Sequence, residues 1–131
     1  MIGAVHSGWR GTVAKILEKT LLEMQSQFGT RPDHLMAAIG PSVSQDSYEV
    51  GDEVVQAVRN VFGNKNDLLS LQANGKAKLD LWKANVLQLE EFGVNRSRIE
   101  ISGLCTVKNN HHFYSARKGD AGRFAAGIML V

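Results

Sequence analysis

Apolar positions along this chain alternate between short continuous runs and helical spacing, and that alternation predicts its elements. The run Ile2 to Val5 predicts a buried strand over 2–6, ending at His6. Val13, Ile16, Leu17, Leu21, Met24 and Phe28 then recur three, four and seven apart, which predicts one helix over 11–28. Gly29 stops it and Pro32 keeps it stopped. Leu35 to Ile39 is a second apolar run, a strand over 35–39 broken by Gly40-Pro41-Ser42. A polar, irregular stretch follows to Tyr48-Glu49-Val50. Asp52 is the expected N-cap of a helix over 52–62, with Val54, Val55, Val58, Val61 and Phe62 on one side and Gly63-Asn64-Lys65-Asn66 at its end. Residues 63–78 read as a surface loop.

Asp80 is the expected N-cap of a third helix, 81–92, which carries Leu81, Trp82, Val86, Leu89 and Phe92 and closes at Gly93. Ile99-Glu100-Ile101 alternates like a strand, expected over 99–103, with Cys105-Thr106 at its end. Asn109 to His112 form a polar turn and His112 to Ser115 a short strand. After a turn at Lys118 to Gly122, a final strand is expected over 124–130. Interspersed helices and strands, with no repeat and no linker, predict one α/β or α+β domain over 1–131.

Composition narrows the class. At 44% apolar and 21% charged, the 131 residues suit a globular protein with a real core. A net charge of +2, without a basic run, leaves no nucleic-acid footprint. No apolar run approaches a membrane span, and the start lacks the pattern of a signal peptide. The single Cys105 precludes an intrachain disulfide and suits a reducing compartment, so a cytoplasmic location is expected.

The densest chemistry lies in His6-Ser7-Gly8-Trp9-Arg10-Gly11-Thr12. Gly8 and Gly11, beside an expected helix start, let backbone approach a ligand, and the helix N–H groups favour an anion. Arg10 adds a fixed positive fork, and His6 a metal ligand or proton carrier. The simpler reading is a tight strand-to-helix turn with a packed tryptophan. Arg10 either binds phosphate or pairs with a carboxylate inside the fold, and Arg117 and Arg123 carry the same two readings. Arg123 could hold Asp80, which reads most simply as a cap and, as the lesser alternative, as a catalytic acid or base. Cys105 reads first as a small buried hydrophobe; as a nucleophile it would need a neighbouring base and a lowered pKa. His34, His111 and His112 read as surface residues.

Four separated stretches share an order that resembles the YfiH-type laccase-domain family, also called the polyphenol oxidase family. They are Ala4-Val5-His6-Ser7-Gly8-Trp9-Arg10-Gly11-Thr12, then Ala38-Ile39-Gly40-Pro41 with Tyr48-Glu49-Val50, then Leu79-Asp80-Leu81 with Ala84-Asn85, and last Cys105-Thr106 with Phe113-Tyr114-Ser115-Ala116-Arg117 and Gly122-Arg123. The resemblance spans essentially the whole chain. It implies a layered sandwich of mixed sheets flanked by helices. It also implies zinc-dependent phosphorolysis of purine nucleosides (adenosine, inosine, methylthioadenosine) with an adenosine deaminase side activity; copper is the older cofactor assignment.

The resemblance implies site roles too. His6 would be a metal ligand, Gly8, Arg10, Gly11, Arg117 and Arg123 would bind substrate or phosphate, and Arg10 and Cys105 are the catalytic candidates. Members are longer, and their metal site is implied to use two histidines and a cysteine. Of these only His6 falls here, so the chain resembles the C-terminal half of a member. A missing N-terminal half or a homo-oligomer is then the expected partner, alongside nucleoside and phosphate. Three departures stand out. Ser42 to Ser47 replaces a loop rich in glycine and cysteine, Ser7 replaces a commoner alanine, and Arg117-Lys118 replaces a pair of arginines, which weakens bidentate anion binding. A cysteine hydrolase or deamidase, a polyphenol oxidase, and a non-catalytic partial domain are the alternative functions.

Overall fold

The computed structural model describes residues 1–64 and 67–131. Its architecture is mixed α/β. The helices are α1 (Trp9–Val13), α2 (Ile16–Phe28), α3 (Asp52–Phe62) and α4 (Leu81–Phe92). The strands are β1 (Ala37–Ile39), β2 (Glu49–Val50), β3 (Leu69–Leu71), β4 (Ala77–Leu79) and β5 (Ile99–Ile101). No helix among the described residues is long and apolar enough to cross a membrane.

The helix expected over 11–28 is two helices. Lys15 sits between them in the left-handed region, with φ at 54°. A non-glycine residue there carries strain, and its ammonium is held by Glu18 at 2.8 Å and Glu91 at 3.6 Å. Spacing could not show the break, because Val13 and Ile16 are three apart in either case. Gly29 closes α2 at φ 64° as expected.

α3 spans the expected residues but is capped one residue earlier: Gly51 is the N-cap, and Asp52 is the first helical residue. There its negative charge still complements the helix dipole. Gly63 ends α3; of the expected stop, Lys65 and Asn66 fall outside the described residues. α4 matches expectation, with the Asp80 carboxylate accepting from the Lys83 amide at 2.9 Å.

Two sheets form. β1 and β5 pair in parallel, Ala37 opposite Ile99 and Ile39 opposite Ile101. Their pairing continues past both strands, as the Ser42 amide donates to Leu104 and the Thr106 amide to Ser42. β2, β4 and β3 form an antiparallel sheet in that order. This corrects the loop expected over 63–78, which carries the β3–β4 hairpin. Leu69-Ser70-Leu71 and Ala77-Lys78-Leu79 each alternate apolar and polar, but over three residues only, shorter than the run of about four to eight over which alternation signals a strand.

Two apolar clusters make the interior. The first joins β4 and α3 through Leu79, Ala77, Val55 and Val58. The second joins α2 and β5 through Leu21 and Ile99. α4 serves both: Leu81 and Ala84 pack in the first, Val86 and Leu89 in the second. Each such side chain, once buried, contributes about 1.5–3 kcal/mol.

The expected strands over 2–6, 112–115 and 124–130 do not form. A strand needs a neighbour for its N–H and C=O groups, and the described residues supply none to either end of the chain. Ile128 and Leu130 remain 57% and 69% exposed. Between β5 and the C-terminus, residues 106–112 are a run of turns.

Candidate functional site

The His6-to-Thr12 turn stands at the entry of α1. Gly8 is its extended N-cap, without a side-chain cap bond. The backbone is tight: a Cβ on Gly11 would come within 3.2 Å of Ile16 Cγ2 and 3.6 Å of the His6 carbonyl. A Cβ on Gly8 would sit 3.5 Å from His6 Nε2. His6 and Arg10 are both exposed. The Arg10 guanidinium lies over its neighbouring Trp9 ring at 4.7 Å and pairs with no carboxylate among the described residues. α1 has only five residues, so few peptide dipoles align behind the turn. The exposed Arg10 guanidinium, more than the helix, is the positive feature of the turn.

Beneath the turn lies a polar contact that the sequence did not announce. Thr12 and Ser7 share a hydroxyl–hydroxyl bond of 2.9 Å. From α4, Asn85 Nδ2 donates to the Thr12 hydroxyl at 3.4 Å and Gln88 Nε2 to the Thr12 carbonyl at 3.2 Å. Two amide residues spaced i, i+3, so on one face of α4, were the available signal.

Cys105 lies at the carboxyl end of the parallel pair, 3% exposed. Its Sγ accepts the Ser44 amide at 3.3 Å, across the bridge between Ser42 and Cys105. Burial pushes the thiol up. The Ser44 amide bond, with the polar groups of Ser44, Ser47 and Lys108 close to the sulfur, outweighs it and brings the pKa down to about 6. None of these partners is a histidine. Nearby, the Trp82 indole donates to Ser42 Oγ at 2.6 Å, so a residue expected only as core packing also fixes this loop.

The C-terminal arginines go separate ways. Arg117, exposed, stacks over the buried Tyr48 ring at 4.5 Å. Arg123 does not reach Asp80. Its Nη1 donates to the carbonyls of Asp120, Ala121 and Gly122, the last at 2.8 Å. Asp120 itself accepts the Ser115 amide at 2.7 Å and an Asn110 amide, which holds its carboxyl below the usual range. A Cβ on Gly122 would lie 2.6 Å from the Tyr114 ring, so that exposed ring would have to shift to admit one. His111 and His112 are exposed with stacked rings, and His34 is exposed beside Asp33, as expected of surface residues.

No hydrogen bond or ion pair among the described residues joins His6, Arg10, Cys105, Arg117 and Arg123 to one another. Nor do three or more His, Cys, Asp or Glu side chains gather where they could hold a metal ion. His6 alone does not fit a zinc site, which takes at least three protein ligands.

The mixed parallel and antiparallel sheets with this His6–Thr12 turn define an α/β protein of a recognisable class. The chain belongs to the family described as multi-copper polyphenol oxidoreductase laccase, whose model matches residues 1–131. A purine nucleoside phosphorylase of Bacteroides thetaiotaomicron is 42% identical over 98% of this chain and 49% of its own length. The adenosine deaminase RL5, from an unknown prokaryotic organism, is 40% identical over 98% of this chain and 50% of its own. The crystal structure of YlmD from Geobacillus stearothermophilus superposes with a TM-score of 0.75 at 33% identity, covering 82% of this chain and 40% of that one. The chain therefore spans about half the length of the curated relatives it matches.

Proposed function

We propose that this chain is the part of a purine nucleoside phosphorylase that supplies its His-Ser-Gly-Trp-Arg-Gly turn, acting on adenosine, inosine or methylthioadenosine, with deamination of adenosine as a second activity. The observation that carries this reading is the 42% identity to a purine nucleoside phosphorylase along 98% of the chain. The adenosine deaminase at 40% identity supports the second activity.

In phosphorolysis a phosphate oxygen attacks the anomeric carbon. The glycosidic bond breaks, its electrons leave with the base, and ribose 1-phosphate forms. Arg10 is exposed and free of carboxylate partners among the described residues, so its guanidinium can hold the phosphate by two parallel hydrogen bonds. Gly8 and Gly11 keep the backbone beside it bare of side chains. Positioning the dianion against the sugar supplies proximity, and the phosphate charge offsets the positive charge developing on the sugar. Arg117 is the second candidate for the anion; its stacking on Tyr48 leaves the guanidinium edge open for hydrogen bonds. Arg123 is turned to its own backbone carbonyls and is the weakest of the three.

Zinc, or copper, belongs to the proposal only through His6, with the remaining ligands supplied from outside this chain. No step here is routed through it. The alternative of a cysteine hydrolase draws on the lowered pKa of Cys105, but the thiol is buried and its sulfur accepts from the Ser44 backbone amide rather than facing a histidine base.

A protein carrying this chain at the length of its relatives, incubated with adenosine or inosine, tests the reading. Base and ribose 1-phosphate that appear only with phosphate support it. Their absence with both nucleosides removes it, and ammonia release from adenosine without phosphate would leave the deaminase alone.

A further inference from the structure

The exposed face of the His6–Arg10 turn makes few contacts of its own, yet its backbone is anchored from below through one residue. Thr12 is 1% exposed and gathers four polar interactions from two directions. Its hydroxyl bonds to the Ser7 hydroxyl and approaches the Ser7 carbonyl, at 2.9 and 3.3 Å. From the other side come Asn85, on the same hydroxyl, and Gln88, on the carbonyl. The Thr12 amide, meanwhile, closes the turn on the Gly8 carbonyl at 2.8 Å.

Packing alone would not select these groups. Gln88 is 0% exposed and Asn85 7%, and each buries a side-chain oxygen with no hydrogen-bond partner among the described residues. Burying an unpaired acceptor is unfavourable, and apolar side chains of the same volume would suit the interior between α1 and α4 better. What the amides add is direction: each aims one N–H at Thr12. α1 is short, follows an uncapped N-terminus and ends at the strained Lys15, so it has little stiffness of its own. The rigid element is α4, capped by Asp80 and packed into both cores.

We propose that Thr12 is the positioning residue of the His6–Arg10 turn, with Asn85 and Gln88 acting through it to lock that turn to α4. Ser7 is the link, since it directly follows His6 and its carbonyl and hydroxyl both face Thr12. The inference rests on the reading of this turn as part of the nucleoside site, but its first test does not require turnover.

Thr12→Val keeps the shape and removes the hydroxyl; Thr12→Ser keeps the hydroxyl; Ser7→Ala removes the partner at a less buried position. In the protein at the length of its relatives, amide hydrogen exchange is followed across residues 8–13 and across α3. Losing these bonds should speed exchange in the turn by about tenfold in Thr12→Val, less in Ser7→Ala, with α3 unchanged. Thr12→Ser should restore it. Phosphorolysis by Thr12→Val should lose about tenfold in kcat with the nucleoside KM held, and Thr12→Ser should recover it. Equal exchange in wild type and both hydroxyl-deleted variants overturns the proposal. So does acceleration spread equally over α3, which would make Thr12 a general core residue. A wild type without phosphorolysis defeats the functional reading instead, and the exchange pattern still decides the positioning.

Discussion

The Ser44 amide donates to Cys105 Sγ at 3.3 Å, across 61 residues of sequence. That contact, with its neighbours, sets the Cys105 pKa at about 6, below the ordinary thiol range. A group whose folded pKa is depressed stabilises the fold above its unfolded pKa and loses that contribution as pH falls through its folded pKa. Wild type should therefore lose its urea-midpoint advantage over Cys105→Ala between about pH 8.5 and pH 6. A constant difference across that window would show that the folded thiol is not ionised.

Ionised is not the same as reactive. Cys105 is buried, so iodoacetamide should label it slowly in native protein at neutral pH and rapidly in denaturant. Rapid native labelling with loss of activity would revive the cysteine hydrolase reading.

Asp80 caps α4 and touches no arginine among the described residues. Asp80→Ala should cost about 1 kcal/mol in chemical denaturation, and Asp80→Asn much less, because asparagine also caps well. Asp80→Asn that folds normally but has no turnover would mean a chemical role beyond the cap.

Arg10 has no carboxylate partner to lose among the described residues. Arg10→Ala should leave the denaturation midpoint nearly unchanged while raising the phosphate KM about tenfold or more. Arg10→Lys should recover only part of this, as an ammonium cannot make the bidentate fork. An unchanged phosphate KM would move the anion site to Arg117.

Apolar side chains stay open at both ends of the chain, with Ile2, Val5, Phe124, Ile128 and Leu130 all exposed. Produced as these 131 residues alone, the chain should self-associate through these segments and unpaired strand edges. Light scattering at rising concentration checks this; a monomer throughout would mean that the exposed segments fold back on their own chain.

Periodicity determined much of this protein without coordinates. α3 and α4 were legible because each keeps one long apolar stripe between local stop signals: Gly63 after Phe62, and Asp80 before and Gly93 after Leu81–Phe92. β1 and β5 were legible as apolar or alternating runs, though not that they pair in parallel, which depends on residues 62 apart such as Ala37 and Ile99. The His6–Thr12 turn was legible from its residue types and from resemblance. The tertiary structure decided the rest. It split the first helix at Lys15, whose ammonium reaches Glu91 of α4 as well as the local Glu18, and no local window contains Glu91. It made β3 and β4 strands because each had the other to bond, and left 2–6 and 124–130 without regular structure because they had no such partner among the described residues. It turned Arg123 from Asp80 to nearby carbonyls, and brought Asn85 and Gln88 under Thr12. Local sequence sets what a segment prefers; hydrogen-bond partners far along the chain decide whether that preference is satisfied.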